Sequence, residues 1–351
     1  MTTLMEAFET DTHTPPHVCV EMSGNHQGRL ESALQFVDAA HQAGADSLKV
    51  QVYRPDTITM DSDREDFRVT TSENDWASYK TLYKLYEKAH TPWEWIGPIF
   101  EHAKSLGLTV FASPFDPTAI DFLEELDCPA YKIASPEIVD IGLIRHAART
   151  GKPVIMSTGL ADRSDLDLAV EVLRETDTRF MILKCVSAYP TPIDAVNLST
   201  IPWLAETYGC PAGFSDHTLG PEAGYAATAL GARMIEKHFK LPGDDVSVDA
   251  AFSMSLDELA DFKTGLARIH SAVGAPTLEI PEISRTSLSG KRSLYVIKPI
   301  AKGDTFTSDN LRSIRPAHGL APRYLDDVLG KRASRDIAAG ERMSLDLVEK
   351  S

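Results

Sequence analysis

The chain has 351 residues, 43% hydrophobic and 25% charged, with a formal net charge of −16. This composition is ordinary for a globular protein, and the length exceeds one average domain. The acidic balance argues against a nucleic-acid or anionic-membrane partner, although a local cluster of Lys and Arg could still hold a small anion.

Residues 1–16, MTTLMEAFETDTHTPP, lack the basic start and apolar core of a signal peptide and read as a flexible extension. Strand-like runs follow at 17–24, 47–53, 109–115, 130–135, 154–159, 180–187, 212–217 and 234–239. Between most of them lie helical patterns. RLESALQFVDAAHQAGA has apolar residues at i, i+3, i+4 and i+7 and then a glycine stop. WEWIGPIFEHAKSLG, SDLDLAVEVLRETD and GPEAGYAATALGA are similar, the first weakened by Pro98. Strand and helix alternating eight times predict parallel strands with crossover helices, an α/β TIM barrel over 17–275. An open doubly wound sheet is the alternative. No GxGxxG follows the first strand, so its dinucleotide-binding form loses support.

AVGAPTLEIPEIS begins a linker assigned to 276–290. Residues 291–351 change texture to short strands and turns, predicting a small β-rich domain. IKPIAKGDTF and RDIAAGERM within it look like two copies of a strand–turn–strand motif. No run approaches the about 18 apolar residues of a membrane helix. Cys19, Cys128, Cys185 and Cys210 form no CxxC pair and read as scattered reduced thiols, so a cytoplasmic location is expected.

A TIM barrel gathers its chemistry at the C-terminal strand ends. Those ends carry Glu21, Ser23 and Asn25; Lys49, Gln51 and Tyr53; Ser113; Lys132, Ser135 and Glu137; Ser157 and Thr158; Ser187 and Tyr189; Ser215, Asp216 and His217; and Glu236, Lys237 and His238. One lysine alone would read as a strand cap reaching solvent. Two lysines with several serines at one mouth read as a site for phosphate or carboxylate. His217 and His238 close neighbouring strands. They either share a divalent transition metal, with open positions for water and substrate, or make separate hydrogen bonds. His26 reads as a turn residue, Trp93 and Trp95 as core, and DSDRED at 61–66 as a solvated loop. Asp249 either points over the mouth or sits on the surface.

The strand ends closely resemble the sialic acid synthase family. The matching pieces are VEMSGNHQG, AGADSLKVQVY, ASPFD, AYKIAS, STG, AYPTP, GFSDHTLG and IEKHF, in order across 17–240; KRSLYV and RPAHGL resemble that family's antifreeze-like (SAF) domain. The resemblance implies condensation of phosphoenolpyruvate with the open-chain aldehyde of an N-acetylated amino sugar. It implies that His217 and His238 hold a divalent metal, Mn²⁺ first, with Mg²⁺ or Co²⁺ as alternatives. Lys49, Gln51, Ser113, Lys132, Ser135, Ser157, Ser187 and Ser215 would hold phosphoenolpyruvate. Ser187 departs from the asparagine usual in sialic acid synthases. Glu21, Lys132 and Glu137 would be catalytic, and Glu21, Tyr189 and Asp249 would hold the sugar. Arg315 would join them from the partner subunit of a domain-swapped homodimer. PDTITMDSDREDFRV with LYKLYEKAHTPWEW resembles the pseudaminic acid branch, whose 6-deoxy sugar asks for an apolar end to the pocket. Met22, Tyr53, Trp76 and Phe252 are available for it; N-acetylneuraminate and legionaminate branches are the alternatives. Other readings are a Schiff-base aldolase using Lys132, a synthase of sugar phosphates, and a non-catalytic carbohydrate-binding protein.

Overall fold

Each of the eight runs forms a strand, and together they close on themselves. In the computed structural model these are β1 (His17–Glu21), β2 (Ser47–Val52), β3 (Thr109–Pro114), β4 (Tyr131–Ile133), β5 (Val154–Ser157), β6 (Phe180–Cys185), β7 (Ala212–Asp216) and β8 (Met234–Lys240). All neighbours pair parallel, and β8 returns to pair with β1. The result is an eight-stranded TIM barrel, with a two-residue β9 (Met254–Ser255) added beside β8. The structure describes residues 3–9, 13–69 and 78–350. It divides into two compact units, Met1–Gly274 and Ala275–Ser351.

The chain begins with a short helix, α1 (Leu4–Ala7). The flexible extension expected at 1–16 is corrected here for residues 3–9. Leu4, Ala7 and Phe8 are buried in the barrel's apolar core. The Arg233 guanidinium donates to the carbonyls of Glu6, Glu9 and Thr14, which pins the segment just before β8. A four-residue helix has no periodicity to read, so three apolar side chains were its whole signal.

The crossover helix after β1 is α2 (Leu30–Gln42). After β2 come a short α3 (Pro55–Ile58), then α4 (Leu82–Ala89), and only then the crossover helix α5 (Trp93–Ser105). Pro98 sits inside α5 without ending it. Pro98 and Glu94, whose carbonyl loses a donor, both lie on the exposed face, where water can satisfy that oxygen. The remaining crossovers are α6 (Pro117–Glu125), α7 (Ile141–Arg149), α8 (Arg163–Glu175), α9 (Thr200–Tyr208), α10 (Glu222–Ala229) and α11 (Leu259–Val273). The strands are buried on both faces, so they read as nearly continuous apolar runs rather than alternating ones. Among the described residues no helix is long and apolar enough to cross a membrane.

In the second unit β10 (Ser293–Val296) pairs antiparallel with β11 (Leu311–Ile314). The two repeated motifs meet each other: the amides of Ile300 and Ile337 each donate to the other's carbonyl, at 2.9 and 2.8 Å. Leu294, Val296, Phe306, Leu311, Ile337 and Met343 are buried in a separate small core.

Candidate active site

Strand register decides which side chains meet. Glu21 lies beside Lys49 on β2 and beside His238 on β8. Ser215 lies beside Glu236, Gln51 beside Ser113, and Cys185 beside Ser215. Side chains alternate along a strand, so Ser215 and Glu236 share the inner face while Asp216 and Lys237 face the other way. That outer pair makes a buried ion pair of 2.8 Å. Lys237 also donates to the Thr218 carbonyl at 2.6 Å, and Asp216 accepts from the Thr218 amide and hydroxyl. This clasp ties β7 to β8 at the residues flanking both histidines.

At the barrel centre one carboxylate oxygen collects three donors. Glu236 Oε1 accepts from Lys49 Nζ at 3.0 Å, Lys132 Nζ at 3.2 Å and Ser215 Oγ at 3.0 Å. Lys49 also lies 3.0 Å from Glu21 Oε2 and 3.4 Å from Ser113 Oγ. Burial penalises the Lys49 charge, but Glu21 and Glu236 outweigh it and hold the ammonium above its ordinary range. Burial likewise opposes the Glu236 charge, but Lys132 and Lys49 hold that carboxyl well below the carboxylate range. For Lys132 burial wins and draws the amine down; for Glu21 burial wins and pushes the carboxyl up.

The cradle around these charges has donors to spare. Among the described residues the hydroxyls of Ser157 and Ser187 are buried without a partner, and so is one acceptor, Glu236 Oε2. Buried polar groups are normally satisfied, so this cluster is built for a polar ligand. Gly159 marks its edge. A Cβ there would collide with Ser187 Oγ and stand 2.7 Å from Ser135 Oγ and 3.1 Å from Cys185 Sγ, and the Gly159 amide donates to Ser135 Oγ at 3.0 Å.

The two histidine rings stand 5.3 Å apart between centroids. His217 Nδ1 lies 3.0 Å from the Val186 carbonyl; donation there leaves Nε2 with a free lone pair. Among the described residues His238 Nδ1 is buried with no partner, and burial holds this ring neutral, well below its ordinary range. An orphaned buried nitrogen beside a second oriented imidazole fits a divalent transition metal. Among the described residues no group of three or more potential metal ligands gathers, which leaves His217 and His238 as the pair to test.

Above the cradle opens a cleft of about 480 Å³, lined by Ser23, Gln51, Tyr53, Tyr189, His238, Asp249 and Phe252 among others. Gln51 donates to Glu21 Oε1 at 3.2 Å and to Ser23 Oγ at 3.0 Å. Asp249 accepts from the Gly24 amide at 3.2 Å, and burial pushes its carboxyl up. Tyr189 packs 4.4 Å from His217 and 5.1 Å from Phe252 between ring centroids. Glu137 occupies the turn after β4 with Oε2 buried and without a partner among the described residues, and burial raises its carboxyl to about 7.

Most of the expected site residues therefore converge on one mouth. Arg315 lies in the second unit, exposed just after β11. Met22 is in the packed core, and Trp76 lies outside the described residues. His26 does serve its turn, with Nδ1 accepting from the Gly28 amide at 3.1 Å and the ring edge-on to Trp95. Two residues gain roles that sequence reading does not assign. Glu236 organises the cradle, and strand parity with His238 is the signal that could have found it. Cys185, a free thiol like the other three cysteines, lies 3.8 Å from His217 Nδ1. Burial pushes that thiol up, but His217, Ser135 and Lys132 bring it down to about 7.

The chain is thus a TIM barrel whose mouth gathers two buried lysines, several serines and two histidines, followed by a small β unit. The chain matches the NeuB family over residues 36–277 and the SAF domain over 291–348. It belongs to the NeuB family and is a transferase homologous to pseudaminic acid synthases. It is 42% identical to the pseudaminic acid synthase of Campylobacter jejuni (strain 81-176), covering 96% of this chain and 97% of that one. It is 41% identical to the pseudaminic acid synthase of Helicobacter pylori, covering 96% and 99%. Among solved structures, the N-acetylneuraminic acid synthetase of Leptospira borgpetersenii, in complex with citrate, superposes with a TM-score of 0.68 at 32% identity, covering 78% and 90%.

Proposed function

We propose that this chain condenses phosphoenolpyruvate with 2,4-diacetamido-2,4,6-trideoxy-L-altrose and water, giving pseudaminic acid and phosphate. The observation that carries the reading is the adjacency of a buried two-lysine, multi-serine cradle to two open imidazoles. Lys49, Lys132, Gln51, Ser113, Ser135, Ser157, Ser187 and Ser215 hold the phosphate and carboxylate of phosphoenolpyruvate. His217 and His238 would hold Mn²⁺, with Mg²⁺ or Co²⁺ as alternatives, and the ion would supply Lewis-acid polarisation of the sugar aldehyde. Glu21, Tyr189 and Asp249 hold the sugar so that its aldehyde carbon faces carbon 3 of phosphoenolpyruvate. A carbon–carbon bond forms there as the aldehyde C=O π bond breaks and its oxygen takes a proton from solvent to become a hydroxyl, and cationic character develops at carbon 2, beside the carboxylates of the cradle. Glu137 takes a proton from the water that adds to carbon 2. Phosphate then leaves from the tetrahedral intermediate as the C2–O bond to it breaks, and the added hydroxyl gives up its proton as the C2 carbonyl forms.

The homodimer is proposed as domain-swapped, with Arg315 reaching the partner's sugar. Charge supports it: residues 275–351 carry 13 Lys or Arg against 10 Asp or Glu, while residues 1–274 carry 22 against 41. A mildly basic module is complementary to a strongly acidic barrel.

The test is inorganic phosphate release from phosphoenolpyruvate with Mn²⁺. The altrose compound, its manno-configured 6-deoxy analogue and N-acetylmannosamine would be run in parallel, with EDTA and His238→Ala controls. Release with the altrose compound, at least about tenfold above that with either other sugar and lost in both controls, is expected. Release with another sugar alone would overturn the substrate, and metal-independent release would overturn the role of the histidines.

Gly159→Ala is expected to raise the KM for phosphoenolpyruvate about 10²-fold while leaving the fold intact by circular dichroism. The added methyl would meet Ser187, Ser135 and Cys185 together, so no single side chain can yield to admit it. An unchanged KM would remove the cradle from the phosphoenolpyruvate site.

A further inference from the structure

One helix of the barrel unit is spent differently from the others. α4 lies between β2 and its crossover helix α5, and it carries an apolar stripe at the spacing of one helix face: Leu82, Leu85, Tyr86 and Ala89. All four line the cleft described above. None belongs to the packed core of the barrel. Leu85 is buried, while Leu82, Tyr86 and Ala89 are half-buried. The opposite face, Lys84, Glu87 and Lys88, is exposed. The stripe is held in place from below. Tyr53, from the loop after β2, packs edge-on against both Tyr86 and Phe115, at 5.8 and 5.1 Å between centroids. The Thr81 hydroxyl caps the helix by accepting from the Lys84 amide.

The cleft is therefore two-sided. His238, Gln51, Ser23 and Asp249 gather on one side beside Tyr189 and Phe252, and the other side is apolar along α4 with Tyr53 and Phe115; Asp66 and Arg68 also line the cleft, Arg68 bridging to Thr81 at the start of α4. Such a pocket fits a ligand with a polar reacting end and a methyl-rich far end. In an acetamido sugar whose aldehyde faces the histidines, the C2 acetamido group stays near the reacting carbon. The groups on C4 and C6 reach the far side of the cleft.

We propose that α4 is the specificity wall of this site, selecting sugars that present a 6-methyl and a 4-acetamido methyl instead of hydroxyls. The proposal rests on the function argued above and names the element that reads the substrate. Its physical basis is desolvation. A methyl against Leu82 and Leu85 gains burial, whereas a hydroxyl there loses its water without a partner. One methyl-sized difference in an apolar pocket discriminates by about 10–200-fold.

The experiment is steady-state kinetics with phosphoenolpyruvate and Mn²⁺ on the wild type, Leu82→Ser and Leu85→Ser. The 2,4-diacetamido-2,4,6-trideoxy sugar and N-acetylmannosamine serve as competing substrates. Leu82 is half-buried, so its variant remains informative if Leu85→Ser fails to fold. The expected result is a fall of about 10–100-fold in kcat/KM for the deoxy sugar, an unchanged KM for phosphoenolpyruvate, and a selectivity ratio reduced by the same factor. If the wild type uses the deoxy sugar but folded Leu82→Ser keeps the wild-type ratio, the wall is overturned and the function stands. If the wild type uses only N-acetylmannosamine, or neither sugar, the substrate reading fails and the wall falls with it.

Discussion

Replacing Glu236 with alanine should destabilise the barrel by about 3–5 kcal/mol at neutral pH, the usual cost of breaking a buried ion pair from one side. Lys132 loses its carboxylate partner, Lys49 keeps Glu21 and a longer contact to Ser113, and Ser215 loses its acceptor. Both lysines are almost wholly buried, so water cannot replace what is removed. The readout is the denaturant midpoint of the barrel's unfolding transition, with the slope unchanged. A second measurement identifies the cause. If the cradle is an anion site, inorganic phosphate in the millimolar range should restore part of the lost stability in Glu236→Ala. Its effect should exceed that on the wild type, because the ion binds only the folded chain. Equal phosphate effects on both proteins would mean that the lysines do not form the anion site. A midpoint shift below about 1 kcal/mol would mean that the network is not held as described.

The barrel was legible because buried parallel strands and their crossover helices repeat one pattern, and the polar ends stand out against the apolar runs. Convergence was less legible. Lys49, Lys132 and Ser215 meet on Glu236 across 187, 104 and 21 residues of sequence, and only closure of the barrel sets those meetings. Glu236 was nonetheless within reach, since it stands two residues before His238 on one strand and must share its face. Cys185 shows the opposite case. A lone cysteine at a strand end carries no spacing signal, and its neighbours His217 and Ser135 come from other strands. The stripe of α4 is readable as helical in LYKLYEKA, but periodicity says only that a face is apolar. Whether that face meets the core or a ligand cleft depends on where an additional helix after β2 comes to rest.

Glu137→Gln should separate chemistry from stability, because the two effects have opposite signs. As the base that receives a proton from water, Glu137 must be ionised, and its carboxyl is raised to about 7 by burial. The kcat/KM profile of the wild type should therefore fall on its acid side with a midpoint near 7, and Glu137→Gln should lose about 10²–10⁴-fold together with that limb. Stability runs the other way. Ordinary glutamate titrates near 4.5, so the folded chain holds this proton more tightly than the unfolded chain does. The resulting contribution favours folding; it is fully present below about 4.5 and is lost as pH rises through about 7. At pH 8 the wild type carries a buried carboxylate that costs about 2–3 kcal/mol. Glutamine carries none, so the variant should be more stable than the wild type at pH 8 by up to that amount and nearly equal to it at pH 4. Denaturant titrations at the two pH values check this directly. A variant that is inactive but gains no stability at pH 8 would mean that Glu137 is already ionised without penalty, which would leave the acid limb to another group.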